Sequence, residues 1–556
     1  MKNIKLNFKN WAKSTALILG LSVAVSCDGY LDEEVISQIG NDYLNTAKGL
    51  DDGINAAYSS MRTWYGTERG NNFTIFGTDT YTNGADGSWK FMNQYTNQFD
   101  SQNGHVRELW DELYRGINTC NAVLDRSTEI TGVPAATLAQ RRAEAKFIRA
   151  HHYFLLVQLF GPVDLQLSEN VVPNRAVSRA PISEVYDAII TDLQEAIPDL
   201  EAKAKSTNFG RATRPAAEHL LGKVFLTRAS TPAGSAADYA SAEPLFKNVI
   251  EKYGIKLLPD FADVYLPGNE INDEVIWSVQ YTRSPLTNGG GNNSHVFFLM
   301  EYDTQPGMQR DTQNGRPFKR YRPTNYTLNV IFGERVNDSR YKKTFVDAFQ
   351  SNRPGNYNAT FDDSKTAISF AAGDTTMYLP GFNMSKEERA KRPYQVLIPA
   401  AYTEKLFPSM RKQMDPGRVD RTQFEGGRDY IAMRLAETYL NLAEAQFRQG
   451  KIAEATATIN VIRRRAAFPG KEAEMEITPD QMTFEFLTEE RERELIGEQH
   501  RWLDLKRWGI LVERVKAYNP QGAPNIQDFH VLRPIPQNQI DRAEGGASAF
   551  PQNPGY

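Results

Sequence analysis

Apolar residues return every three and four positions along Ile182, Val185, Tyr186, Ile189, Leu193, Ala196 and Leu200, which predicts an amphipathic helix weakened in its last turn by Pro198. Residues 138–160 carry the same period but become apolar all round through Phe154, Leu155, Leu156, Val157, Leu159 and Phe160. A helix of that texture is buried on most sides, and Gly161-Pro162 stops it. Residues 105–126 and 215–230 predict two more helices. In the C-terminal half, Leu442, Ala443, Phe447, Gly450, Ala455, Ile459 and Ile462 have the spacing of a tetratricopeptide pair, two helices around a glycine turn. A looser copy runs from Leu221-Gly222 to Ala242, Phe246 and Val249. Thr478-Pro479-Asp480-Gln481 offers an N-cap, a proline at the first helical position and a capping-box partner, predicting the start of a helix that carries Glu489 to Glu494.

The texture changes over 66–104 and 255–425, which are rich in Gly, Asn, Asp, Pro and Tyr. Short runs such as Val275-Ile276-Trp277-Ser278-Val279 predict small sheets, and the rest predicts long loops laid over a helical base. Loops of this length are functional or disordered, and dense aromatics argue against disorder.

The chain starts differently. Lys2, Lys5, Lys9 and Lys13 precede a short apolar run from Thr15 to Val25, a secretory signal too short to span a bilayer. Ala24-Val25-Ser26-Cys27 is similar to a bacterial lipobox, so residues 1–26 are expected to be removed and the Cys27 thiol lipidated. The remainder would hold 60 basic against 68 acidic side chains, a net −8. That balance argues against nucleic acid, which needs a basic face. The only other cysteine, Cys120, is expected to be a buried small hydrophobe.

Catalytic signatures are missing. The seven histidines are scattered, adjacent His151 and His152 would point apart on a helix, and no His-Glu-x-x-His, phosphate-loop Gly-Lys-Ser/Thr or Gly-x-Ser-x-Gly occurs. The Glu489–Glu494 ladder, with Arg491 and Arg493, is read as ion pairing along one helix face. No cofactor or metal is expected. Asp79 and Asp86 suggest a calcium-braced loop, but not at EF-hand spacing. Binding remains. A saccharide needs aromatic planes for its C–H faces and polar side chains for its hydroxyls. The 66–104 segment interleaves Tyr81, Trp89 and Tyr95 with Asp79, Asp86 and Asn93, and 281–302 adds Arg283, Phe298 and Tyr302. Most of the rings in these segments are expected to pack the loops' own underside, with Trp89, beside Gly87-Ser88, the first choice for exposure.

Several stretches resemble a known family in order. They are Trp110 to Leu124, Ala143 to Gly161, Gly210-Arg211-Ala212-Thr213, Gly315-Arg316-Pro317-Phe318 with Pro323-Thr324, Arg428 to Leu440, Glu489 to Glu498, Arg501 to Trp508, Pro534-Ile535-Pro536, and Gln552 to Tyr556. The chain resembles the SusD/RagB family of outer-membrane nutrient-binding lipoproteins. The resemblance implies a mainly α fold of tetratricopeptide-like helix pairs with a loop-rich face, an N-terminal region over 27–340 and a C-terminal region over 341–556 packed as one unit. It also implies a lipid-anchored, non-catalytic role at the cell surface, binding an oligosaccharide for a SusC-like TonB-dependent transporter. A peptide ligand is the alternative, and a surface glycosidase a remote one.

Overall fold

The computed structural model describes residues 41–203 and 208–556. The lipobox and Cys27 lie outside the described residues. Helices of seven residues or more are α1 (Ala47–Ser60), α2 (Glu68–Thr74), α3 (Gly104–Arg126), α4 (Ala135–Phe160), α5 (Ile182–Ala196), α6 (Arg214–Arg228), α7 (Ala237–Glu251), α8 (Leu435–Arg448), α9 (Ile452–Ala466), α10 (Phe484–Leu495), α11 (Arg501–Arg507) and α12 (Leu511–Tyr518). They pack as neighbouring pairs: α3 with α4, α4 with α5, α6 with α7, and α8 with α9, while α8 also rests on α7 and so joins the two halves of the chain. Among the described residues, no helix is long and apolar enough to cross a membrane.

The local chemistry of these helices is ordinary. Asn103 accepts the His105 and Val106 N–H groups at the start of α3, and Thr46 does the same for Gly49 in α1. From Ala143 onward every residue of α4 except Lys146 is buried. Its one buried guanidinium, Arg149, is neutralised by Asp192 of α5 at 2.7 and 2.8 Å and also donates to Asn121 of α3. Gly450, at φ +76°, makes the turn between α8 and α9. The Thr478 signal acts on a shorter object than expected. It caps a single 3₁₀ turn, Pro479–Gln481, and α10 begins afterwards, capped by Thr483 accepting from Phe486.

The small sheets are β1 (Tyr81–Asn83) against β3 (Tyr321–Pro323), β2 (Val275–Val279) against β9 (Tyr430–Arg434), β4 (Ala348–Gln350) against β7 (Thr375–Tyr378) with β8 (Gln395–Val396) parallel to it, and β5 (Gly355–Asn358) against β6 (Ala367–Phe370).

Two readings are corrected. The 66–104 segment is no surface loop: residues 70–84 are all buried, and Asp79 and Tyr95 bond Arg501 and Trp502 of α11. The Glu489–Glu494 ladder also pairs mostly with other elements. Arg493 does bond Glu489 and Glu490 along the helix, but Glu490 and Glu494 are fully buried and bind Arg340, Arg463, Arg434 and Arg465.

Candidate functional site

The β1–β3 ribbon supports the only stretch of 66–104 that returns to the surface as a loop of small and polar residues beside a tryptophan, at 85–89. The backbone is fastened first: Gly84 N–H donates to the Arg320 carbonyl at 2.8 Å, Ala85 to Glu404 at 2.9 Å and Asp86 to Lys319 at 3.2 Å. The Asp86 side chain then accepts the Ser88 N–H at 2.8 Å, an Asx turn. That turn delivers Trp89 in a left-handed conformation, φ 60°, rare for a bulky residue. Trp89 stacks on His105 with ring centroids 3.5 Å apart and planes 12° apart, and Phe91 meets its edge at 5.7 Å. Half-buried, the indole keeps part of its surface open. Burial, helped by nearby Arg69, pushes the His105 imidazole down to about 3, so a neutral ring supports the stack at physiological pH.

Beneath the loop, Arg320 donates to Asp86 at 3.0 Å, also contacts Glu68, and lies 5.3 Å from the Phe297 ring. Next to it Phe318 stacks on Phe424 at 5.4 Å, with the Arg316 guanidinium 5.4 Å from the Phe318 ring. Both rings are half-buried.

Across the ribbon lies a cleft of about 420 Å³ lined by Thr82, Arg322, Tyr326, Tyr402, Lys516 and Tyr518 among others. Tyr326 and Tyr518 stack at 4.1 Å over Arg514. Glu404 and Gln521 form the wall between cleft and loop. Glu404 accepts from Gln521 at 2.9 Å and meets Lys90 at 3.5 Å, while the Gln521 carbonyl accepts from Thr82 and from Asn83 N–H at 3.2 Å.

Of the expected site residues, Trp89 and Arg283 retain exposure; Arg283 pairs with Asp415 at 2.9 Å on the loop that carries Phe424. The others are buried and cannot meet a ligand face. Tyr81 packs edge-on to Phe298 at 5.5 Å, and Phe298 in turn against Tyr321 at 4.9 Å. Tyr302 stacks on Phe349 and donates to the Gly315 carbonyl. Tyr95 donates to the Gly77 carbonyl at 2.6 Å. Asn93 accepts from Gly77 N–H and from Asn519. Asp79 bonds Arg501 at 2.6 Å and Arg514 at 3.1 Å. Burial alone would raise its carboxyl, but the two guanidinium groups outweigh it and hold it below the usual range. With Asp86 on Arg320, both carboxylates of the suggested calcium loop are neutralised by arginine. Among the described residues, no group of three or more His, Cys, Asp or Glu is placed to hold a metal.

Sequence reasoning missed the roles of Phe318, Arg320, Arg322, Tyr402, Phe424, Lys516 and Tyr518. A signal existed for the first three: Arg316 to Arg322 alternates cations with rings.

Comparison with known proteins agrees with this architecture. Residues 273–556 match the SusD family model, and residues 29–226 match a family described as starch-binding and associating with the outer membrane. Among curated relatives, SusD-like protein P25 of Formosa agariphila is 26% identical over 462 residues, 81% of this chain and 79% of that one. The starch-binding protein SusD of Bacteroides thetaiotaomicron is 26% identical, covering 79% and 76%. Among solved structures, a laminarin-binding SusD-like protein superposes with a TM-score of 0.66 at 22% identity, covering 92% of this chain and all of that one. Surface glycan-binding protein A of Bacteroides thetaiotaomicron, in complex with laminarihexaose, gives 0.65 at 20% identity, covering 91% and 99%. The family model spans half of the sequence and the mainly α, helix-paired fold agrees with it throughout: the chain belongs to the SusD family.

Proposed function

We propose that this protein is a non-catalytic, lipid-anchored binder of oligosaccharides at the outer-membrane surface, delivering them to a SusC-like transporter. The observation that carries the reading is Trp89: a half-buried indole in a left-handed turn, braced from behind by His105 and flanked by the Asp86–Arg320 pair. A prebraced ring meets the C–H face of a sugar with little entropy left to lose, and the half-buried Asp86 carboxylate beside it, held by Arg320 from below, serves hydroxyls. The relatives support the ligand class, since one is named for starch and another holds laminarihexaose. Weak, multi-contact binding suits a protein that must release its cargo, and tethering offsets it by raising the local concentration.

The test is calorimetry with a panel of soluble oligosaccharides. Trp89→Ala should weaken the best ligand about tenfold or more, the loss of roughly 1.4 kcal/mol or more. Unchanged affinity would remove this site. For the partner, mild-detergent capture from outer membranes should recover a β-barrel transporter.

A further inference from the structure

The cleft across the β1–β3 ribbon differs from the Trp89 side in its charge. Its lining holds Arg322 and Lys516 and no aspartate or glutamate. Elsewhere most of the molecule's arginines reach carboxylates, as Arg434, Arg340 and Arg501 do. The Arg322 side chain has no hydrogen bond or ion pair among the described residues, and its Nε is buried without an acceptor. Burial lowers its pKa, and Glu404 beyond the wall offsets this only in part. A buried guanidinium N–H without an acceptor is costly, and a ligand oxygen is one way such a group is satisfied. Lys516 is exposed on α12 and has no ion pair among the described residues. Tyr402 and Tyr518 stand at the same cleft with ring surface partly open, and Asn325 is exposed beside them.

We propose that this cleft receives a sugar residue bearing an anionic substituent, a uronate carboxylate or a sulfate ester, with the anion on Arg322 and Lys516 and the ring against Tyr402 and Tyr518. Arg322 supplies the forked donor that matches either oxyanion, and Lys516 adds a point charge at the mouth. The whole molecule is acidic, so the preference is local and not a general attraction for polyanions. The inference rests on the saccharide reading and names the chemical class that the second part of the same face would accept.

The test uses the full mature protein and four probes in calorimetry: oligogalacturonate, a sulfated galactan oligosaccharide, laminarihexaose, and an acidic peptide. The expected result is that at least one of the two anionic sugars binds about tenfold or more tightly than the neutral one at low salt, and that the margin shrinks as salt screens it. Which of the two wins distinguishes carboxylate from sulfate. In Lys516→Gln, an exposed change that the fold tolerates, and in Arg322→Gln, the ratio of anionic to neutral affinity should fall towards one. Arg322→Lys should recover part of it. Equal affinity for neutral and anionic sugars overturns this inference and leaves the saccharide reading standing, as does a preference that survives both glutamine variants. Binding of the acidic peptide alone, or of none of the probes, overturns both.

Discussion

Glu492 sits buried on α10 between opposing influences. Burial pushes its carboxyl up to about 7, Arg501 pulls it down, and Asp79 pushes it up again. A carboxyl raised in the folded state binds its proton more tightly there than in the unfolded chain. Stability is therefore full below about 4.5, falls as pH rises towards 7, and is flat above. Glu492→Gln should flatten that slope and raise stability at pH 8 by on the order of 2 kcal/mol, read from urea midpoints across pH. Lys506 runs the other way: burial brings its amine down to about 7, so it costs stability below that pH and the cost is relieved towards the unfolded value near 10.5. Neither shift is visible in the sequence, where both residues look like surface charges. The same limit governed the proposed binding face. Trp89 keeps part of its surface open, as its small polar neighbours suggest, although His105 and Phe91 pack against it. Tyr81 and Tyr95 carry equally polar neighbours yet are buried, because partners such as Asn519 and Trp502, distant in the sequence, close over them.

At the scale of elements, α6 and α7 approach so closely that a Cβ on Gly222 would lie 2.6 Å from the Phe246 ring. Gly222→Ala gains about 1 kcal/mol of helix propensity but forces that ring aside, so a net loss of roughly 1–2 kcal/mol is expected in thermal unfolding. Adding Phe246→Leu should recover part of it, which a local backbone defect would not allow. Thr483→Ala should cost about 1 kcal/mol by uncapping α10, whereas Thr478→Ala, whose cap serves only a 3₁₀ turn, should cost less. Helices were the legible part of this chain because their burial is periodic: 138–160, 105–126 and both helix pairs stand where the pattern put them, and the helix expected over 182–200 stops at Ala196, just before Pro198. The 66–104 segment was misread because polarity usually marks a surface. Here Asn71, Asn72, Thr74, Thr78 and Asp79 are fully buried; the two threonines bond carbonyls three or four residues back, and the other three are satisfied by groups brought in from far along the chain.

One buried network ties β9 to α9, α10 and the segments around residues 274, 340 and 412. Arg434 at the end of β9 bonds Glu274, Glu494 and Glu498; Lys412 shares Glu498; Arg340 and Arg465 reach Glu494. Removing one member strands the rest, so Glu494→Gln should destabilise by roughly 3–5 kcal/mol, a larger loss than any surface pair would give. Glu498 in this network, and Asp504 between Arg491 and Arg507, set the acid limit. Burial alone would raise Glu498 and Asp504, but arginines, and for Glu498 also Lys412, outweigh it and depress each to about 2. Their contribution is complete above the unfolded values of 4.5 and 3.8 and disappears as pH falls towards 2, so acid unfolding should be cooperative in that window by circular dichroism. Against this rigid interior, the turn at 84–86 is anchored by main-chain N–H groups on the carbonyls of Arg320, Glu404 and Lys319, and by the Asp86 side chain on Arg320 and the Ser88 N–H. Every amino acid except proline carries the donor such anchoring needs. The letters at Gly87 and Ser88, exposed between these anchors, can therefore be rewritten without asking the scaffold's permission, which makes this pair a natural place for evolution, or a selection library, to vary the surface beside Trp89.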